Sequence, residues 1–203
     1  TPVKWINYIG TLDFGGFVDH TGGALICKGD PAVNRITRYI QQLPCSDMKG
    51  ETLYLRIKKN GKYRIFSPFF VPTLDPYEKY ECRVGLMYTR IVTEFYGIKT
   101  DVTIFVPLNK NVELRVIKIT NINNKPWEID VIPVVEYSHF NALKQFTNND
   151  WVPQTQQSRV IEKSGPSKIL VQSAVMKKGT GENYFTSNMP VSSFESDRKA
   201  GFI

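Results

Sequence analysis

Ile98-Lys99-Thr100-Asp101-Val102-Thr103-Ile104-Phe105-Val106 decides the fold class. Ile98, Thr100, Val102, Ile104 and Val106 share one face of this stretch, while Lys99, Asp101 and Thr103 share the other. Such a period of two, with one greasy and one wet face, belongs to a β-strand lying against a core. Tyr80 to Arg83 and Leu86 to Tyr96 precede it as an antiparallel series hinged at Gly97. Asn111 to Asn121 follows with the same rhythm, and the pattern predicts Val112, Leu114 and Val116 inward, Glu113 and Arg115 outward.

Working outward, Thr52 to Lys58 and Lys62 to Phe66 alternate on either side of Asn60-Gly61, a strong short-range hairpin signal. Ser67 to Pro76 carries three prolines and predicts a crossing loop or edge. Trp127 to Tyr137 predicts a long strand, with Pro133 placing it at an edge or bulge. Trp5 to Gly10 alternates too, and Arg159 to Lys163 and Lys168 to Met176 read as strands parted by Ser164-Gly165-Pro166. Ser138 to Pro153 fits either one or two helical turns around Ala142 and Leu143 or a structured loop. Many short antiparallel strands with almost no helix predict an all-β sandwich or barrel over residues 1–203.

One stretch reads either as an ordinary hairpin connection rimmed by solvated charges or as a surface offered to a ligand or a partner subunit. Thr21 to Pro44 opens on Gly22-Gly23, runs through apolar Ala24 to Cys27, breaks at Lys28-Gly29-Asp30-Pro31 and resumes as an alternating Arg35 to Ile40. It reads as strand, exposed loop, strand, and loops carried on a rigid scaffold are common places for binding residues.

The composition bounds the class. In 203 residues, 41% hydrophobic and 22% charged content supports a packed core, and the apolar runs are far too short to span a bilayer. The net charge of +7 is scattered rather than gathered into a stripe, which favours a solvated surface over a nucleic-acid footprint. Three cysteines, Cys27, Cys45 and Cys82, lack CxxC spacing and sit in or beside apolar runs. Buried free thiols in a reducing cytoplasm are expected. The chain begins without Met and stops inside what reads as structured sequence, as a piece of a longer protein would.

Catalytic chemistry is hard to find. The only histidines, His20 and His139, have no metal-ligand neighbours at helical spacing, there is no GxSxG elbow, and Gly179-Thr180-Gly181 lacks a dinucleotide-loop context. No metal site and no catalytic residue is therefore assigned. Asp13, Asp19, Glu81 and Glu136 are the carboxylates that glycoside chemistry could recruit, but a strand-end acid is usually solvated or salt-bridged.

Taken in order, several segments resemble the N-terminal domain of the cellobiose and chitobiose phosphorylase family. They are Pro2 to Gly10 (PVKWINYIG), Gly22-Gly23, Arg35 to Tyr39 (RITRY), Tyr80 to Thr89 (YECRVGLMYT), Phe105 to Leu108 (FVPL), Val135-Glu136-Tyr137, Asn141-Ala142 and Phe194 to Arg198 (FESDR). The resemblance implies an antiparallel super-sandwich of galactose mutarotase-like type, truncated at its C-terminal side. It implies a parent enzyme, a laminaribiose-, cellobiose- or chitobiose-type phosphorylase, that cleaves a β-linked glucoside with inorganic phosphate, inverting the anomeric centre to give α-glucose 1-phosphate. The catalytic acid of that family lies in a following helical barrel, so none is carried onto this sequence and no cofactor beyond phosphate is implied. A cytoplasmic homodimer is implied, in which Lys28, Gly29, Asp30 and Pro31 reach toward the partner's acceptor subsite. Nucleic acid and membrane are not expected partners. Lys28 stands where cellobiose phosphorylases have arginine, Gly29 to Ala32 is one residue longer, Ala24 to Cys27 replaces a more aromatic run, and Val84 replaces a histidine. Cellobiose, laminaribiose, chitobiose and 1,2-linked glucan stay open as substrates. A stand-alone carbohydrate-binding module, presenting Trp5, Trp127 or Trp151 to a sugar, is the rival reading.

Overall fold

The computed structural model describes residues 3–39, 49–59, 61–148, 152–162, 168–174 and 181–196. The chain divides into two compact units, Thr1–Ser138 and His139–Ile203.

The first unit is built from β1 (Ile6–Gly10), β2 (Gly15–Asp19), β3 (Ala24–Cys27), β4 (Glu51–Lys59), β5 (Lys62–Phe66), β6 (Lys79–Gly85), β7 (Tyr88–Phe95), β8 (Ile98–Phe105), β9 (Leu114–Asn121) and β10 (Ile129–Val135). They form antiparallel sheets in the orders β1-β2-β3, β10-β4-β5 and β6-β7-β8-β9. The stretch that decides the fold class behaves as its period requires, since Ile98, Thr100, Val102 and Ile104 are buried and Lys99, Asp101 and Thr103 are not. Its wet face carries cross-strand ion pairs, Arg90 to Asp101 at 2.5 Å and Lys99 to Glu94 at 3.8 Å, which is how the outer face of a sheet stays solvated.

Turn chemistry sets the registers. Tyr96 and Gly97 both take positive φ (53° and 70°), the conformation that lets a two-residue turn join β7 to β8 at the predicted hinge. Gly61, at φ 77°, serves the predicted β4–β5 hairpin, where Lys59 pairs with Lys62. β10 is an edge strand, the place that Pro133 requires because proline has no N–H for a second neighbour.

Two apolar clusters lie between the sheets. One gathers Ile9, Val18, Ile26, Leu53, Phe69, Ile91, Val102 and Ile104, and the other Leu55, Ile57, Phe66, Phe95 and Ile98, with Trp127 packed against it. A polar staple joins β1 to the hairpin between β6 and β7. The Asn7 side-chain amide donates to the carbonyls of Tyr88 (2.7 Å) and Gly85 (3.2 Å) and to the Thr89 hydroxyl (3.2 Å).

Three sequence expectations need correction. Leu86 and Met87 form a turn rather than the start of a strand, with Met87 at φ 69°. Arg35 to Tyr39 makes only isolated bridges, Cys27 to Arg35 and Thr37 to Tyr137, and Ile40 lies outside the described residues. The Thr37 side chain supplements a few backbone bonds there: its hydroxyl donates to the Ala24 carbonyl at 2.7 Å and accepts the Ile26 N–H at 2.8 Å. In β9 the faces are reversed. Val112, Leu114 and Val116 are exposed, at 39%, 39% and 56%, whereas Glu113 and Arg115 point inward into a buried ion cluster.

The second unit contains α1 (Ala142–Thr147), a 3-10 turn (Val152–Thr155), and the antiparallel sheet β11 (Gln156–Glu162), β12 (Lys168–Ala174) and β13 (Glu182–Thr186). α1 forms because Asn141 caps it, its side-chain oxygen accepting the Lys144 N–H at 2.8 Å. His139 is buried, and its Nδ1 accepts the Asn141 N–H at 3.1 Å, a structural histidine as its position after an apolar strand predicts. Among the described residues no helix is long and apolar enough to cross a membrane.

Candidate functional site

Lys28, Gly29, Asp30 and Pro31 follow directly from β3 and stand together on the surface, with Lys28, Asp30 and Pro31 exposed. The loop is held by its own backbone. Lys28 N–H donates to the Asn34 carbonyl at 3.0 Å, closing its two ends, and Gly29 N–H reaches the Asp13 carbonyl at 2.9 Å in the neighbouring β1–β2 connection. The Asp30 carbonyl accepts from Asn34 at 2.9 Å, and its carboxylate accepts the Ala32 N–H at 2.8 Å, an Asx turn that shapes the Pro31–Val33 corner. Gly29 sits at φ 67°, the left-handed region that the reversal after β3 needs. A preset backbone thus offers one ammonium and one carboxylate to solvent, with Asp13 exposed beside them. That pair can donate to and accept from hydroxyl groups.

Behind the loop, Arg35 and Cys27 are half-buried and buried. Burial pushes the Cys27 thiol up, with Arg35 opposing, so it is a poor nucleophile. Cys27 and Cys82 are both free, and burial pushes Cys82 up to about 11. Cys45 lies outside the described residues.

The other candidate carboxylates separate by environment. Glu136, just past the end of β10, is salt-bridged to Arg38 at 2.7 Å, and Glu81, within β6, pairs with Arg83 and Lys79. Asp19 is different, for it is only 2% exposed. One of its oxygens accepts from the Thr21 N–H (2.8 Å), the Thr21 hydroxyl (2.7 Å) and the Gly23 N–H (3.1 Å). The other accepts from the Tyr39 hydroxyl at 3.0 Å and faces the Lys49 ammonium at 3.9 Å. Asp19 therefore moulds the Thr21–Gly23 turn from which β3 and the Lys28 loop depart. Sequence reasoning ranked it with Asp13, although a carboxylate two residues before Thr21 and four before Gly23 is a usable signal for such a turn.

Gly22 completes the turn. Its φ of 73° and the Phe69 ring, 2.7 Å from where a Cβ would stand, leave room for no side chain. Its carbonyl accepts from Arg115 Nη1 at 2.9 Å, tying the turn to β9. The rings that the rival reading presents to sugar divide: Trp5 is 58% exposed, Trp127 packs into the second cluster, and Trp151 lies outside the described residues.

Antiparallel sheets over two apolar clusters, with a preformed polar loop at one strand end, define an all-β sandwich domain. Residues 1–203 match the family described as glycosyl hydrolase 94, supersandwich domain, and the chain belongs to that family. It is 29% identical over 150 residues to an N,N'-diacetylchitobiose phosphorylase of Vibrio furnissii, covering 73% of this chain and 18% of that protein. It is 30% identical over 156 residues to a solabiose phosphorylase of Paenibacillus borealis, covering 75% and 20%. A cellobionic acid phosphorylase of Neurospora crassa is 25% identical over 96 residues, covering 47% and 12%. The chain thus spans about a fifth or less of the length of these relatives.

Proposed function

We propose that this chain is the N-terminal domain of an inverting carbohydrate phosphorylase. The parent cleaves a β-linked gluco-disaccharide or oligosaccharide reversibly with inorganic phosphate, releasing α-glucose 1-phosphate. This domain supplies dimer contacts and, through Lys28 to Pro31, an acceptor-side edge to the partner subunit's site. The family match over the whole chain carries the reading. Its support in the geometry is the preset Lys28–Asn34 loop, whose exposed Lys28 and Asp30 offer one donor group and one acceptor group to sugar hydroxyls. The free thiols of Cys27 and Cys82 fit a reducing, cytoplasmic compartment.

Two outcomes are expected. Replacing Lys28 and Asp30 together by Ala in the full-length protein raises the acceptor KM in the synthetic direction by about tenfold, the loss of one charge-assisted hydrogen bond. Unchanged acceptor kinetics would remove the loop from the site. Residues 1–203 alone release no α-glucose 1-phosphate from a β-glucoside and phosphate in a coupled assay, and release by the fragment would overturn the division of labour.

The exposed Trp5 favours a second reading, a carbohydrate-binding module without catalysis, because an indole at the surface is a ready stacking platform for a sugar ring. Calorimetric titration with cello-, laminari- and chito-oligosaccharides separates the two. Saturable binding lost in Trp5→Ala supports the module, and absence of heat supports the phosphorylase domain.

A further inference from the structure

Near the start of β4 and β9, two acids and one base share a largely buried space. The side chains of Glu51, Glu113 and Arg115 are 10%, 8% and 16% exposed. Arg115 Nε meets Glu113 Oε1 at 2.8 Å, and its Nη2 meets Glu51 Oε2. Neighbouring nitrogens of one guanidinium thus bring the two carboxyl groups side by side. Glu113 Oε2 is buried and receives no donor from the described residues.

Two ionised carboxylates offer each other only acceptors. Held together behind one guanidinium, they would bury a net negative charge and leave lone pairs unsatisfied. A single proton between them turns the contact into a hydrogen bond and leaves one carboxylate to balance Arg115. Among the described residues the surrounding groups do not supply the missing charge. Asp19 already faces Lys49 at 3.9 Å, and Tyr137, which senses both glutamates, is held neutral because burial drives its hydroxyl pKa up. The Phe69 ring, 5.8 Å from the guanidinium carbon, closes another side without a charge.

We propose that Glu51 and Glu113 hold one proton between them against Arg115, and that this shared proton is a pH-sensitive latch on the Thr21–Gly23 turn. Arg115 is the link, because the same guanidinium that serves the two acids also donates to the Gly22 carbonyl at 2.9 Å. When the second carboxylate ionises, the added negative charge draws the guanidinium toward the two acids and its bond to Gly22 gives way. The turn then loosens, and with it the root of β3. Burial is the main cause that raises the Glu51 pKa, with Glu113 adding and Arg115 opposing. An acid with a raised folded-state pKa stabilises the fold fully below the ordinary carboxylate range, and that stabilisation is lost as pH rises through about 8.

Infrared spectroscopy of the intact protein reads the proton directly, since a buried neutral carboxyl group absorbs apart from ionised carboxylates. The expected result is a neutral-carboxyl band at neutral pH that fades as the solution becomes alkaline and is missing in Glu51→Gln. Over the same pH range, hydrogen exchange at the Gly22 and Gly23 amides accelerates roughly tenfold beyond its intrinsic base dependence, the loss of one hydrogen bond's worth of protection. A neutral-pH spectrum without the band overturns the proposal, as does a band that survives unchanged in both Glu51→Gln and Glu113→Gln. A band that fades while Gly22 and Gly23 keep their protection overturns the latch. The titration of the unaltered protein decides the matter even if neither variant folds.

Discussion

Replacing Asp19 with Ala is expected to destabilise the protein by about 3–5 kcal/mol, read as a lower denaturant midpoint with an unchanged slope. The size follows from what one carboxylate holds. It accepts three hydrogen bonds from Thr21 and Gly23 and one from Tyr39, and it faces Lys49. Truncation leaves those donors and a half-buried ammonium without their acceptor, and an orphaned buried donor loses its full hydration. Asp19→Asn is expected to lose less, because an amide oxygen can still accept from Thr21 and Gly23 while its NH2 confronts Tyr39 and Lys49. Equal loss in the two variants would mean that charge, rather than turn geometry, dominates.

Arg115→Met is the second large effect. Methionine roughly fills the space against Phe69 but leaves Glu51 and Glu113 with no cation, and breaking a buried ion cluster by removing one partner costs about 3–5 kcal/mol. The pH dependence has a definite sign. Burial already holds the Glu51 carboxyl above its ordinary value with Arg115 opposing, so the deficit is smallest where that acid is protonated and greatest in alkaline solution, where it is ionised. Thermal unfolding of the full-length protein from mildly acidic to mildly alkaline pH checks it. A deficit independent of pH would show that the arginine acts by packing alone.

The fold was legible where one face of a strand is greasy and the other wet. Ile98 to Val106 is such a strand, and its alternation, the Gly97 turn and the edge position of Pro133 all hold in the structure. β9 was misread by the same rule. The pattern puts apolar groups inside, but Glu113 and Arg115 are buried because Glu51, far away in the chain, meets them across the core. No local window contains that information. The Arg35–Tyr39 segment was misread for a related reason, since the Thr37 hydroxyl and a few backbone bonds, rather than a continuous ladder, tie it to Ala24 and Ile26.

The candidate site divides the same way. Gly29 and Asp30-Pro31 announce a loop through turn chemistry, and that loop is where the structure places Lys28 to Pro31. The support behind it was hidden. Asp19 and Asp13 look alike as residues six apart, and only tertiary burial tells the moulding carboxylate from the solvated one.

The Asn7 staple reaches mainly for backbone. Two of its three acceptors are the carbonyls of Gly85 and Tyr88, which frame the Leu86-Met87 tip. Carbonyls do not change when side chains do, and Leu86 itself is 93% exposed. The hairpin tip is thereby free to drift in sequence over generations while the junction beneath it stays intact, so diversity among relatives should collect at Leu86 and be scarce at Asn7.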